Sequence, residues 1–143
     1  MTEAMQKQIA AWREACRFVD DLVKSCPPLS DMETLHSWFQ EVHGWVSYLG
    51  TESARAEAYY AIEYVRILDT AGGISDEAYK VIKGSSTMTD RYVAGKCPEL
   101  YEISQRLRNM AKCIDTILSD MRTNIVTLRE ADKRDAMQAP AQR

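Results

Sequence analysis

Few of the side chains that do chemistry stand at spacings that let them act together. His36 and His43 are the chain's two histidines. Seven residues apart on a helix is about 10 Å of rise, whereas two imidazoles on one ion need a spacing of three or four. No Ser, Cys or acid is placed beside either one as a nucleophile or base would be. The four cysteines, Cys16, Cys26, Cys97 and Cys113, contain no C-x-x-C pair, so they read as reduced and mostly buried thiols. Phosphate-cradling glycine loops and the H-E-x-x-H pattern are absent from the sequence, and Gly72-Gly73 reads as a turn between helices. The acidic pairs Asp20-Asp21 and Asp76-Glu77 read as helix surface and helix start. The expectation is therefore a protein without metal, cofactor or catalysis.

Binding chemistry is better represented. Tyr59, Tyr60 and Tyr64 cluster beside Arg55 and Arg66, an arrangement that can stack single-stranded bases while neutralising phosphates, although Glu57 and Glu63 lie among them. Farther on, a heptad count puts Arg108, Lys112, Arg122, Arg129 and Lys133 on the outer face of a long helix, broken by Asp115. A solvated face would look the same; displayed repeatedly on an assembly, the line would track a phosphate backbone. Charge is unevenly spread. Residues 1–90 hold 8 Lys/Arg against 14 Asp/Glu, a balance of −6, and residues 91–143 hold 10 against 7, a balance of +3. Between Lys24 and Arg55 there is no basic residue at all.

These residues are carried on helices. Met5, Ile9, Trp12, Cys16, Val19 and Val23 form one stripe at alternating spacings of four and three, predicting a helix over 2–25 that Cys26-Pro27-Pro28 terminates. Ser30 or Asp31 caps a second over 31–49, with its stripe on Leu35, Trp38, Val42, Trp45 and Leu49. Gly50 reads as a stop and Thr51 as a new start, giving a third over 51–71 rich in alanine. A short helix follows over 75–83, then a polar connection over 84–97 with one turn near Asp90–Val93. Trp12, Trp38 and Trp45 all fall on apolar stripes and read as core.

Pro98 and Glu99 suit the start of the last helix, expected over 98–132. Leu100, Ile103, Leu107, Met110, Ile114, Ile117 and Met121 keep a three-four rhythm that continues through Asn124 to Leu128. Leu118 and Ile125 flank it and widen the apolar face. Asn124 reads either as a buried amide that fixes register or as the place where the helix begins to fray. At about 50 Å the rod would outrun a compact domain some 30 Å across. Part of its stripe is therefore expected to be covered by other helices laid alongside it or by another subunit. Self-association through Leu107, Ile114, Ile117, Met121, Asn124 and Leu128 is the favoured of the two.

The chain has 143 residues, 45% hydrophobic and 27% charged, with 6 Gly and 4 Pro. That suits one globular all-α domain, expected over 1–133 as a helical bundle or hairpin with a disordered tail over 134–143. A start without a basic region and an apolar run predicts a cytoplasmic protein, and no stretch is apolar enough to span a membrane.

The order ARAEAYYAIEYVRILDTAGG, SDEAYKVIKG and RYVAGKCPELYEISQRLRNMAKCIDTILSDMRTNIVTLRE resembles the helical recombination mediators of tailed phages, the UvsY type, and related small phage proteins. The resemblance covers residues 54–133 and is one of pattern. It implies a helical protomer that assembles into a ring, binds single-stranded DNA and helps load a RecA-like recombinase. In those mediators the helix before the turn is strongly basic. Here Glu52, Glu57 and Glu63 accompany Arg55 and Arg66, so that basic cluster is not carried over. The first functional expectation is thus a single-stranded DNA-binding accessory protein using Arg55, Arg66, Arg108, Lys112, Arg122 and Arg129 on phosphates, with Tyr59 or Tyr60 stacking. The alternative is a protein-interaction module, an inhibitor of a host defence complex or an assembly adaptor, that docks through the acidic stretch from Ser25 to Ala54.

Overall fold

The structure is a computed structural model and describes residues 2–70 and 85–138. Among these residues the chain is an all-α four-helix bundle with no strand. The helices are α1 (Glu3–Lys24), α2 (Met32–Thr70), α3 (Ser86–Lys96) and α4 (Pro98–Gln138). The helix expected over 75–83 lies outside the described residues.

Thr2 starts α1 by accepting the Met5 N–H at 3.3 Å, and Ile9, Trp12, Cys16 and Val19 bury the stripe read from the sequence. Asp31 starts α2, its carboxylate accepting the Thr34 N–H at 3.1 Å. Gly50 does not stop that helix: α2 runs unbroken for 39 residues. Leu35, Val42, Leu49 and Ala56 are all buried at a spacing of seven, so the apolar stripe passes through Gly50 in phase. Continuous packing on one side outweighs the roughly 1 kcal/mol that glycine costs a helix. The segment expected as a polar connection is also helical. Thr89, Val93 and Cys97, one turn apart, are buried there, and Tyr64 donates a hydrogen bond to Asp90 at 3.1 Å. Helix α4 begins at Pro98, as expected, but continues through residues 134–138, where nothing in the sequence breaks a helix before Pro140.

Helices α2 and α4 form an antiparallel spine. Tyr60 meets Tyr101 at 5.5 Å between ring centroids and Arg108 meets Glu57, while Ile125 and Arg129 lie beside Met32. Helix α1 packs on this pair, antiparallel to α2 through Trp12 with Glu52, Phe18 with Trp45 and Trp38 with the Leu22 carbonyl. It runs parallel to α4 through Asp20–Arg106 at 2.9 Å. The core is Ile9, Trp12, Val19, Leu35, Val42, Leu49, Leu100, Ile103, Leu107, Ile114 and Leu118, with Trp38 close by. Each fully buried aliphatic of this kind contributes about 1.5–3 kcal/mol of transfer free energy. Trp45 is only half-buried.

Of the two covers expected for the long rod, the chain's own helices supply one. At 41 residues α4 is about 60 Å long and unbroken, but α2 is a rod of nearly equal length laid against it. Leu107 and Ile114 are therefore buried by the chain's own helices. Ile117 and Met121 are half-buried, whereas Asn124 and Leu128 are exposed. The buried line runs Leu107, Ile114, Leu118 and drifts off the heptad because an α-helix turns every 3.6 residues, not every 3.5. Asn124 is neither buried nor frayed: it stands exposed on an intact helix.

Candidate functional site

The residues singled out for nucleic acid fall into two groups. Arg66 gives two N–H donors to Glu63 Oε2, at 2.9 and 2.7 Å, and that hydrogen bond holds its guanidinium above its ordinary pKa. Arg108 is held by Glu57 at 2.6 Å from Nε, and Arg55 lies 3.7 Å from Glu52. Each of these cations is thus matched by an acid of the same fold. The tyrosines are engaged as well. Tyr59 packs on Trp12 and takes the Arg55 guanidinium over its ring at 5.9 Å. Tyr60 packs between Tyr64 and Tyr101, and burial pushes its phenol up to about 12. All three tyrosines are half-buried. By contrast Lys112, Arg122 and Arg129 are exposed and make no ion pair with the other described residues.

Two of those free cations border an opening in the bundle. Between α2 and α4 lies an open groove of about 880 Å³ with no contribution from α1 or α3. Met32, Leu35, Phe39, Ile125 and Val126 make its apolar floor. Arg122 and Arg129 rim it from α4, and Glu33, His36 and His43 from α2. Around the end of the bundle the apolar surface continues onto Leu29 and Leu128. Val126 is 54% exposed and Leu128 49%, with Leu29 and Met32 only slightly more covered. Soluble proteins seldom leave so many large apolar side chains together in water unless something binds them.

Helix α1 packs on the other side of the α2–α4 pair, through Trp38 and Trp45, which stand two residues and so about 200° round α2 from the groove-lining His36 and His43. It ends at Lys24, beside Cys113 and Ile117 of α4, while α4 runs on to Gln138. Past that level only the first turns of α2 and the 25–31 linker face it. Among the described residues the bundle narrows to α2 and α4 beyond the end of α1.

The remaining candidates are apart from this groove or inert. His36 and His43 both reach its rim, but His36 is hydrogen-bonded to Gln40 at 3.1 Å, and no group of three or more potential metal ligands forms among the described residues. All four cysteines are free thiols. Cys16 and Cys97 are buried, and burial pushes both thiols up, while Cys26 and Cys113 are exposed, fewer buried than expected. No helix among the described residues is long and apolar enough to cross a membrane. The sequence reading did not find Met32, Phe39 or Val126. The available signal was Val126 itself, an apolar residue standing outside the rhythm that buries its neighbours.

Comparisons with family models, curated proteins and solved structures gave no match for this chain. What it does must be read from the groove and the charges around it.

Proposed function

We propose that the chain is a non-catalytic protein-interaction module whose docking surface is the groove between the first turns of α2 and the last third of α4. The observation that carries this reading is the apolar floor of that groove, where Met32 and Val126 are exposed and Phe39 and Ile125 only half-buried. A helix laid there would pack on the side of α2 and α4 that α1 leaves open, with anchors spaced at three and four residues. A photo-crosslinking side chain at position 126, compared with one at exposed Ser37, tests it in cells. Discrete adducts at 126 and none at 37 are the expected outcome. Equal labelling at both positions, or no adduct at either, would end the reading.

A second reading, the single-stranded DNA-binding mediator, keeps one supporting observation: Lys112, Arg122 and Arg129 stand exposed on α4 without ion pairs to the other described residues. With Arg55, Arg66 and Arg108 held by glutamates, binding would be weak per subunit and steeply salt-dependent. Fluorescence anisotropy with a labelled oligonucleotide at low and moderate salt tests it. Replacing all three cations with Glu should abolish binding; retention would exclude this face.

A further inference from the structure

The occupant of the groove is identifiable from the charges on its rim. We infer that it is the same end of a second copy of this chain, so that two two-helix ends close into one four-helix junction around a two-fold axis. This rests on reading the groove as a docking surface and adds the partner.

The first support is the pattern of opposite charge. The α2 side of the groove belongs to a stretch with no basic residue from Ser25 to Ala54, carrying Asp31, Glu33 and Glu41. The α4 side carries Arg122 and Arg129. Within one chain the two sides line the same groove, yet Glu33 pairs with neither arginine, nor with any other described cation. Two copies turned face to face by a two-fold set α2 of one against α4 of the other, so Glu33 meets the partner's cationic rim twice over. An unrelated acidic helix could satisfy the arginines but would face Glu33 with like charge.

The second support is the shape of the groove. The groove is walled by a pair of helices, α2 and α4, with Met32 and Val126 exposed and Phe39 and Ile125 half-buried. Packed on themselves, these side chains form the centre of an antiparallel bundle. Elsewhere α4 has no such face to offer, because Leu107, Ile114 and Leu118 are already used inside the protomer. The contact covers only the last third of the rod, so the dimer dissociates on dilution.

Sedimentation velocity over a wide concentration range tests the inference on the full chain. Mass should rise from 16.3 kDa towards twice that value in the high micromolar range. Val126→Asp should keep an unchanged far-UV spectrum and melting temperature at low concentration, and weaken the dimer by about tenfold or more. Glu33→Arg and Arg129→Glu should each weaken it, and the double exchange should restore it, since both partners of the cross-pair reverse together. A wild-type monomer throughout would overturn the inference, as would a dimer indifferent to Val126→Asp, or a double exchange no better than the singles. The crosslink at position 126 separates the two levels. An adduct at twice the chain mass supports self-pairing. A discrete adduct of another mass, with monomeric wild type, leaves the docking surface standing and refutes the second copy.

Discussion

Glu52 joins two helices from inside the core. Its carboxylate accepts the indole N–H of the fully buried Trp12 at 2.5 Å and an amide hydrogen of Gln8 at 3.4 Å, with Arg55 at the surface 3.7 Å away. Without that acceptor the indole donor would be stranded in apolar surroundings. Glu52→Ala should therefore cost about 1–3 kcal/mol in urea unfolding, while Glu52→Gln, whose amide oxygen still accepts, should cost clearly less. A second residue-scale effect depends on pH. Hydrogen bonds from Thr34, side chain first and then backbone, hold the Asp31 carboxyl below its ordinary value. A depressed carboxylate stabilises the folded state above the unfolded pKa of about 3.9 and loses that contribution as pH falls through its lower folded pKa. Asp31→Ala should lower the melting temperature near neutrality, and the gap from wild type should narrow in acid. A gap that stays constant down to pH about 2.5 would show that the charge is not what caps α2.

Among the elements, α2 shows where sequence reasoning works and where it fails. Its stripe on Leu35, Trp38, Val42 and Leu49 was legible, and so was its start at Asp31. Its length was not, because Gly50 is read locally as a stop whereas the deciding fact is that the burial phase carries on through Ala56 to Ile67. Helix α3 was missed for the opposite reason. It buries little beyond Thr89 and Val93, too few apolar positions to impose a period on a polar segment. Gly50→Ala measures the difference directly. A Cβ at Gly50 would meet nothing within 4 Å and the backbone there is helical, so the substitution should stabilise the fold by about 0.5–1 kcal/mol. Were residue 50 a chain reversal with left-handed backbone, the same change would destabilise it.

At the scale of the whole molecule, the distribution of burial along α4 decides what the chain offers to others. The candidate cations were legible one by one, but the groove was not. Its walls come from residues 32–43 and 122–129, brought together only because two rods of similar length pack antiparallel. The same packing divides the heptad seam in two. Leu107 is fully buried within the protomer, and Leu128 is 49% exposed. Leu107→Ala should then cost about 2–5 kcal/mol at any protein concentration, because it opens a cavity in the protomer's own core. Leu128→Ala should leave dilute protein within about 0.5 kcal/mol of wild type. Should copies pair through the end of the rod, Leu128→Ala would lower the melting temperature relative to wild type only at high concentration, since association stabilises only what it binds. Melting curves of both variants at two concentrations tell a seam that folds the chain from one that joins chains: a Leu128 effect independent of concentration would assign the whole rod to the protomer alone.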